Sequence, residues 1–187
     1  RPTDTATIET GAGLIAARAA GPRRVSVDMG EPATGWRAIP LARDCDTDHV
    51  PLALGPLADP VATSMGNPHV TFFVADVAAI EIATLGPRLE HDALFPERAN
   101  IGVAQILSPA RMRLRVWERG AGLTPACGTG ACAALVAAVR RGLTARKAEI
   151  VADGGALEIE WRDDNRVVMT GPVAVSFTGT LDDTLFR

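Results

Sequence analysis

The sequence predicts an α+β fold in which an antiparallel sheet wraps around one central helix. Three observations carry that prediction. Segments with two-residue alternation or short apolar runs far outnumber segments with helical spacing. They follow one another across short turns rich in Gly, Pro, Asn and Asp, which favours antiparallel pairing. One stretch, 131–139 (ACAALVAAV), is apolar almost all the way round, as a helix buried on every side requires.

Residues 5–19 and 24–29 alternate weakly around Gly11-Ala12-Gly13 and Gly21-Pro22 and read as short strands joined by turns. Met29-Gly30-Glu31-Pro32 is a break and a domain-boundary candidate. Within the Pro- and Gly-rich segment 33–60, short strands are expected near 36–41 and 50–54. Residues 61–75 read as two strands around Gly66-Asn67-Pro68-His69. Helical spacing appears over 78–89 (Ile80, Ile82, Leu85, Leu89), although Gly86-Pro87 should shorten that helix.

A loop, Phe95-Pro96-Glu97-Arg98-Ala99-Asn100, leads into a strand at 101–107. In 111–118 Met112, Leu114 and Val116 alternate with Arg113 and Arg115. By the same period Glu118 continues the apolar face, where a carboxylate is costly unless paired. Arg119 and the loop residues 120–123 precede the central helix, expected over 127–141 and closed by Gly142. Strands at 147–151 and 156–161 flank the hairpin signal Asp153-Gly154-Gly155, and further strands are expected at 167–170 and 173–177.

With 187 residues, 47% of them apolar, the chain can bury a sizeable core. A net charge of −3 leaves no basic field for nucleic acid. No apolar run approaches the roughly 18 residues of a membrane span. The three cysteines, Cys45, Cys127 and Cys132, show neither disulfide nor metal-ligand spacing. A reducing, cytoplasmic setting is expected, with no secretory-signal pattern in the first residues.

Chemistry concentrates in Ala126-Cys127-Gly128-Thr129-Gly130-Ala131-Cys132, which sets a cysteine at the head of the buried helix. Helix starts carry unpaired N–H groups and a partial positive charge. The thiol of Cys127 is therefore expected to titrate below its free value of about 8.5. Gly128 and Gly130 lack side chains, so an anion can approach the N–H groups of Gly128 and Thr129. Equally, Cys127 could be a small buried hydrophobe beside a turn.

Four motifs together resemble the diaminopimelate epimerases. They are Ser64-Met65-Gly66-Asn67-Pro68-His69, Phe95-Pro96-Glu97-Arg98-Ala99-Asn100, Glu118-Arg119-Gly120-Ala121-Gly122 and the cysteine stretch. Their order and spacing resemble the C-terminal part of that family from about residue 6 to 180. The resemblance implies an enzyme without cofactor or metal that interconverts LL- and meso-diaminopimelate in lysine and peptidoglycan-precursor biosynthesis. It implies two similar α/β domains, each an antiparallel sheet around a helix, with the active site between them and a homodimeric assembly. One cysteine removes the α-proton and a second, from the other domain, protonates the opposite face. Cys127 matches the second. His69 and Glu118 match residues that tune the acid–base balance. Asn67, Asn100, Glu118 and Arg119 match those that hold the substrate's distal end, and the N–H groups of Gly128 and Thr129 those that bind the reacting carboxylate.

Elementary chemistry is compatible with that assignment. An α-hydrogen beside an ammonium and a carboxylate is a weak acid, so its removal needs a dry, preorganised site. Arg119 offers a planar fork for a second carboxylate, and Glu118 can accept from a second ammonium. Plainer roles also exist: His69 and Asn67 as turn residues, Arg119 as a solvated strand end, Cys132 as core. Cys45 sits in a polar loop without a helix start.

The family's first cysteine lies in an Asn-Gly-x-Arg-Cys-type motif that nothing here matches. The expected organisation is therefore a remnant of an N-terminal domain over 1–28, the C-terminal epimerase domain over 29–172, and a tail, 173–187, returning to the first. Such a chain is expected to associate through its incomplete domain and to be inactive alone. The competing readings are another racemase of the same fold (a proline racemase or a phenazine-biosynthesis-type isomerase), a thiol hydrolase using Cys127 and His69, and a non-catalytic, ligand-binding remnant.

Overall fold

The computed structural model describes residues 4–10, 13–180 and 182–186. In chain order the strands are β1 (Thr5–Thr10), β2 (Gly13–Ala19), β3 (Arg24–Asp28), β4 (Ala53–Leu54), β5 (Leu57–Ala58), β6 (Val61–Ser64) and β7 (Pro68–Phe73). Helix α1 (Ile82–Glu90), β8 (Asn100–Ser108), β9 (Arg111–Glu118) and β10 (Gly122–Thr124) follow, then α2 (Gly128–Arg140), β11 (Lys147–Ala152), β12 (Gly155–Trp161) and β13 (Val167–Pro172). One sheet runs in the order β1-β2-β3-β13-β12-β11-β9-β8-β7-β6, with β10 paired to β9, and β4-β5 form a separate hairpin.

The sheet curls around α2, which touches β6, β7, β8, β9, β11, β12 and β13. Every residue from Gly130 to Ala138 is buried, as the apolar circumference of this stretch demands. At its C-terminus the N–H of Gly142 bonds to Val139 O (2.9 Å) and that of Leu143 to Ala138 O (2.8 Å). Gly142 takes φ +66°, so the helix closes on a left-handed glycine as its position suggested. A second core lies on the sheet's other face, where Val70, Phe72, Ile101 and Val103 pack with Ile82 and Leu89 of α1.

Several expected elements differ. Antiparallel pairing dominates, but β7 with β8 and β9 with β11 run parallel, because α1 and α2 serve as the crossovers between them. The segment 36–41 is a turn held by i→i+3 and i→i+4 bonds such as Ala38 N–H to Gly35 O, and it buries Ile39 and Leu41. Of 50–54 only β4 is a strand. The helix expected over 78–89 splits into a 3-10 turn at Val77–Ala79 and α1, which runs through Pro87. Residues 119–123 are not all loop: Gly122 and Leu123 belong to β10. Finally, 173–177 forms no strand and leaves Val175 and Phe177 exposed. The turn residues Gly11 and Ala12 lie outside the described residues. Among the described residues no helix is long and apolar enough to cross a membrane.

Candidate active site

Strand alternation decides which side chains meet the N-terminus of α2. On β7, Val70 and Phe72 face the α1 core; on β8, Ile101 and Val103 do the same. Alternation turns His69 and Asn100 to the opposite, α2-facing side. On β9, Met112, Leu114 and Val116 pack in the α2 core and Glu118 continues their face. The parallel β7–β8 register sets His69 opposite Asn100, and the antiparallel β8–β9 register sets Trp117, just before Glu118, opposite Ile101. Three neighbouring strands therefore deliver His69, Asn100 and Glu118 to one end and one face of the sheet. Helix α2 begins at that end, with Cys127 as its extended N-cap residue.

A polar chain links these groups. His69 Nε2 donates to Asn67 Oδ1 at 3.0 Å, which assigns the proton to Nε2 because that oxygen can only accept. Asn67 Nδ2 donates to Thr129 Oγ1 at 3.4 Å, and Thr129 Oγ1 lies 3.7 Å from Cys127 Sγ. The Glu118 carboxylate is near enough for its charge to disfavour the thiolate of Cys127. The hydroxyl of Thr124 donates to that carboxylate in turn.

The expected lowering of the Cys127 pKa does not occur; it is pushed up to about 11. Burial is the largest cause, and the negative charge of Glu118 adds to it. The Thr129 hydroxyl and the Gly130 N–H beside the sulfur pull the other way and do not prevail. Dehydration of a thiolate and a neighbouring carboxylate outweigh half a charge of helix dipole. His69, 2% exposed, is pushed down to about 3 by burial and then by the Arg119 charge, so it is neutral.

Asn100 is buried with both ends of its amide engaged: Nδ2 donates to Pro68 O (2.9 Å) and Oδ1 accepts from Arg119 N–H (2.9 Å). The Arg119 guanidinium is exposed and donates to Glu97 O at 2.9 Å. The N–H groups of Gly128 and Thr129 precede the first intrahelical bond, Ala131 N–H to Cys127 O (2.9 Å). A Cβ on Gly130 would lie 3.1 Å from both Cys127 Sγ and Val116 Cγ2, so a side chain there would crowd the thiol. Thr129 and Gly66 open onto a cleft of about 300 Å³ whose other wall carries Leu14, Asp28, Met29 and Arg166.

The structure thus brings together Asn67, His69, Asn100, Glu118, Arg119, Cys127, Gly128 and Thr129, drawn from segments far apart in sequence. His69 reaches Cys127 only through Asn67 and Thr129, so the nucleophile–base pair of a thiol hydrolase is not formed. Cys132 is fully buried in α2 and its thiol is pushed up to about 12 by burial. Cys45 packs against the α1 core. Thr124, which holds Glu118, ends the short strand β10, whose pairing with β9 has no signal in the local sequence. Among the described residues no group of three or more His, Cys, Asp or Glu could hold a metal ion.

The fold is similar to that of a solved structure described as a probable proline racemase from Agrobacterium radiobacter K84 (TM-score 0.61, 16% identity, 90% of this chain and 57% of that one). At that identity the likeness establishes architecture alone. Sequence narrows it further. The family model described as diaminopimelate epimerase matches residues 61–176. The chain is 63% identical over 176 residues to a diaminopimelate epimerase of Acidiphilium cryptum, covering 94% of this chain and 64% of that protein. It is 57% identical over 179 residues to one of Rhodospirillum centenum, covering 96% and 62%. The chain belongs to the diaminopimelate epimerase family, and it spans less than two thirds of the length of these two curated relatives.

Proposed function

We propose that this chain carries one half of a diaminopimelate epimerase active site, with Cys127 as one of two opposed acid–base groups. The observation that carries this reading is a buried cysteine at the N-cap of the enclosed helix α2, with Thr129, Asn67 and His69 linked to it in one polar chain. In the protonating direction Cys127 Sγ–H gives its proton to one face of the substrate's α-carbon and becomes a thiolate. A base on the opposite face, supplied by the first domain, has taken the α-proton. In the reverse direction the Cys127 thiolate is the base. Negative charge growing on the substrate carboxylate is met by the N–H groups of Gly128 and Thr129 and by the helix dipole.

The distal end of the substrate falls to Glu118, Arg119 and Asn67. Arg119 supplies a fork for the second carboxylate, and Glu118 an acceptor for the second ammonium. Asn100 contributes chiefly by fixing the Arg119 backbone. His69, held neutral, orients Asn67. Residues 1–28 and 173–187 are assigned to the domain that supplies the opposing base.

β1 is an edge of the main sheet, Leu14 on the neighbouring β2 is exposed, and so are Val175 and Phe177 of the C-terminal segment, which supports association through these surfaces. The test of function is stereochemical conversion of LL- to meso-diaminopimelate in deuterated water by the full-length enzyme, with deuterium uptake at the α-carbon read by mass. Cys127→Ala is expected to abolish both. Conversion unaffected by that substitution would overturn the reading.

A further inference from the structure

Glu90 stands where a carboxylate is expensive. It is the last residue of α1, at the negative end of the helix dipole, and its side chain is only 4% exposed. Neither packing nor helix propensity calls for a charge there. Yet its oxygens are engaged by donors from one stretch of chain: Trp117 Nε1–H reaches Oε2 at 2.7 Å, and the backbone N–H of Gly120 reaches Oε1 at 3.0 Å. Arg98, from the loop that precedes Asn100, lies 3.8 Å from Oε1. Burial opposes the charge, and these donors outweigh it and hold the carboxyl below its ordinary range.

The two donors bracket Glu118 and Arg119 in sequence. Trp117 points to the α1 face of β9 and Glu118 to the α2 face, so the two are opposite sides of one backbone unit. The indole is also boxed in: a Cβ on Gly86 would lie 2.5 Å from Trp117 Cγ, and one on Gly122 3.4 Å from its Cη2. Gly120 takes φ +75°, a left-handed turn whose N–H is fixed by Glu90.

We infer that Glu90 is a positioning residue that clamps the β9–β10 turn from behind and so fixes the backbone from which Glu118 and Arg119 project on the side of Cys127. The inference rests on the reading of Glu118 and Arg119 as site residues. It assigns a role to a side chain that touches neither the thiol nor the cleft.

Glu90→Gln tests it with the shape preserved. The amide keeps one acceptor and turns an NH2 toward either the indole or the Gly120 N–H, so one of the two bonds is lost. The readout is the rate of iodoacetamide alkylation of Cys127 against pH, with Cys45 and Cys132 separated by peptide mass. No substrate is involved, so the result stands apart from diaminopimelate turnover. Release of the turn withdraws Glu118 from the thiol and is expected to raise alkylation near pH 8 by about tenfold, one unit of thiol pKa. Glu118→Gln sets the upper limit of that rise. Should Glu90→Gln fail to fold, Glu90→Asp retains the charge but retracts it from Gly120, and the same rise is expected. A folded Glu90 variant whose Cys127 profile overlays wild type overturns the clamp. Glu118 and Arg119 substitutions that leave diaminopimelate conversion intact would instead overturn the site reading on which it rests.

Discussion

Cys127 keeps its proton because burial and Glu118 together exceed the pull of the helix start, and His69 stays neutral because it is buried beside Arg119. The histidine makes stability depend on pH with a definite sign. Its folded pKa of about 3 lies below the ordinary 6.5, so between those values the unfolded chain binds a proton that the folded chain refuses. The associated stability is fully present above pH 6.5 and is lost as pH falls toward 3, at up to about 1.4 kcal/mol per pH unit. Urea unfolding at a series of pH values should show that slope flattened in His69→Gln; an unchanged slope would place the titration elsewhere. Arg119 invites a different test. A lysine keeps the charge but not the fork, so in the full-length enzyme Arg119→Lys should raise KM for diaminopimelate by about tenfold, or 1.4 kcal/mol, with a smaller change in kcat. An unaltered KM would remove Arg119 from substrate binding.

α1 and β9 meet through Gly86 and Trp117, and there packing reverses a rule of helix propensity. In an exposed helix interior Gly→Ala gains about 1 kcal/mol. At Gly86 the added methyl would sit 2.5 Å from Trp117 Cγ, and overpacking of that kind costs about 1–3 kcal/mol or more. Gly86→Ala should therefore destabilise the protein in chemical unfolding. With Trp117→Leu already made, the same substitution should become neutral or stabilising. Additivity of the two changes would show that the contact does not govern this site. In α2, Leu135 is fully buried among strands on every side, so Leu135→Ala should cost about 2–5 kcal/mol. A loss under 1 kcal/mol, by the same unfolding measurement, would mean that the helix is less enclosed than described.

Epimerisation with inversion needs an acid and a base on opposite faces of one carbon. Of the chain's cysteines, Cys132 is sealed in the helix that Cys127 caps, and Cys45 packs against the α1 core. Neither can face Cys127 across a substrate. The 187-residue chain by itself is therefore expected not to convert LL- to meso-diaminopimelate, and addition of the N-terminal part of a relative should restore turnover. Robust conversion by the chain alone would reveal a second acid among the described residues. The β1 edge and the exposed Leu14, Val175 and Phe177 belong to the same picture: sedimentation of the chain should show self-association, and a strictly monomeric species at high concentration would count against it.

Local pattern was sufficient for much of this. The buried helix followed from the uniform apolarity of 131–139, its C-terminus from Gly142, and the side on which Glu118 lies from the alternation of Met112, Leu114 and Val116. Those features depend on a few neighbouring residues whose period alone dictates a face. The site motifs were legible as residue types and spacings, which is why family membership could be anticipated. What local pattern could not decide was anything that depends on distant chain. The parallel pairs β7–β8 and β9–β11 exist because helices cross between them, and 173–177 lacks a strand despite its alternation because no strand among the described residues pairs with it. The titration of Cys127 went the other way from its local reading for the same reason. A helix start is written in the sequence around the cysteine, whereas burial by seven strands and a carboxylate delivered from the end of β9 are decided only when the sheet closes around α2.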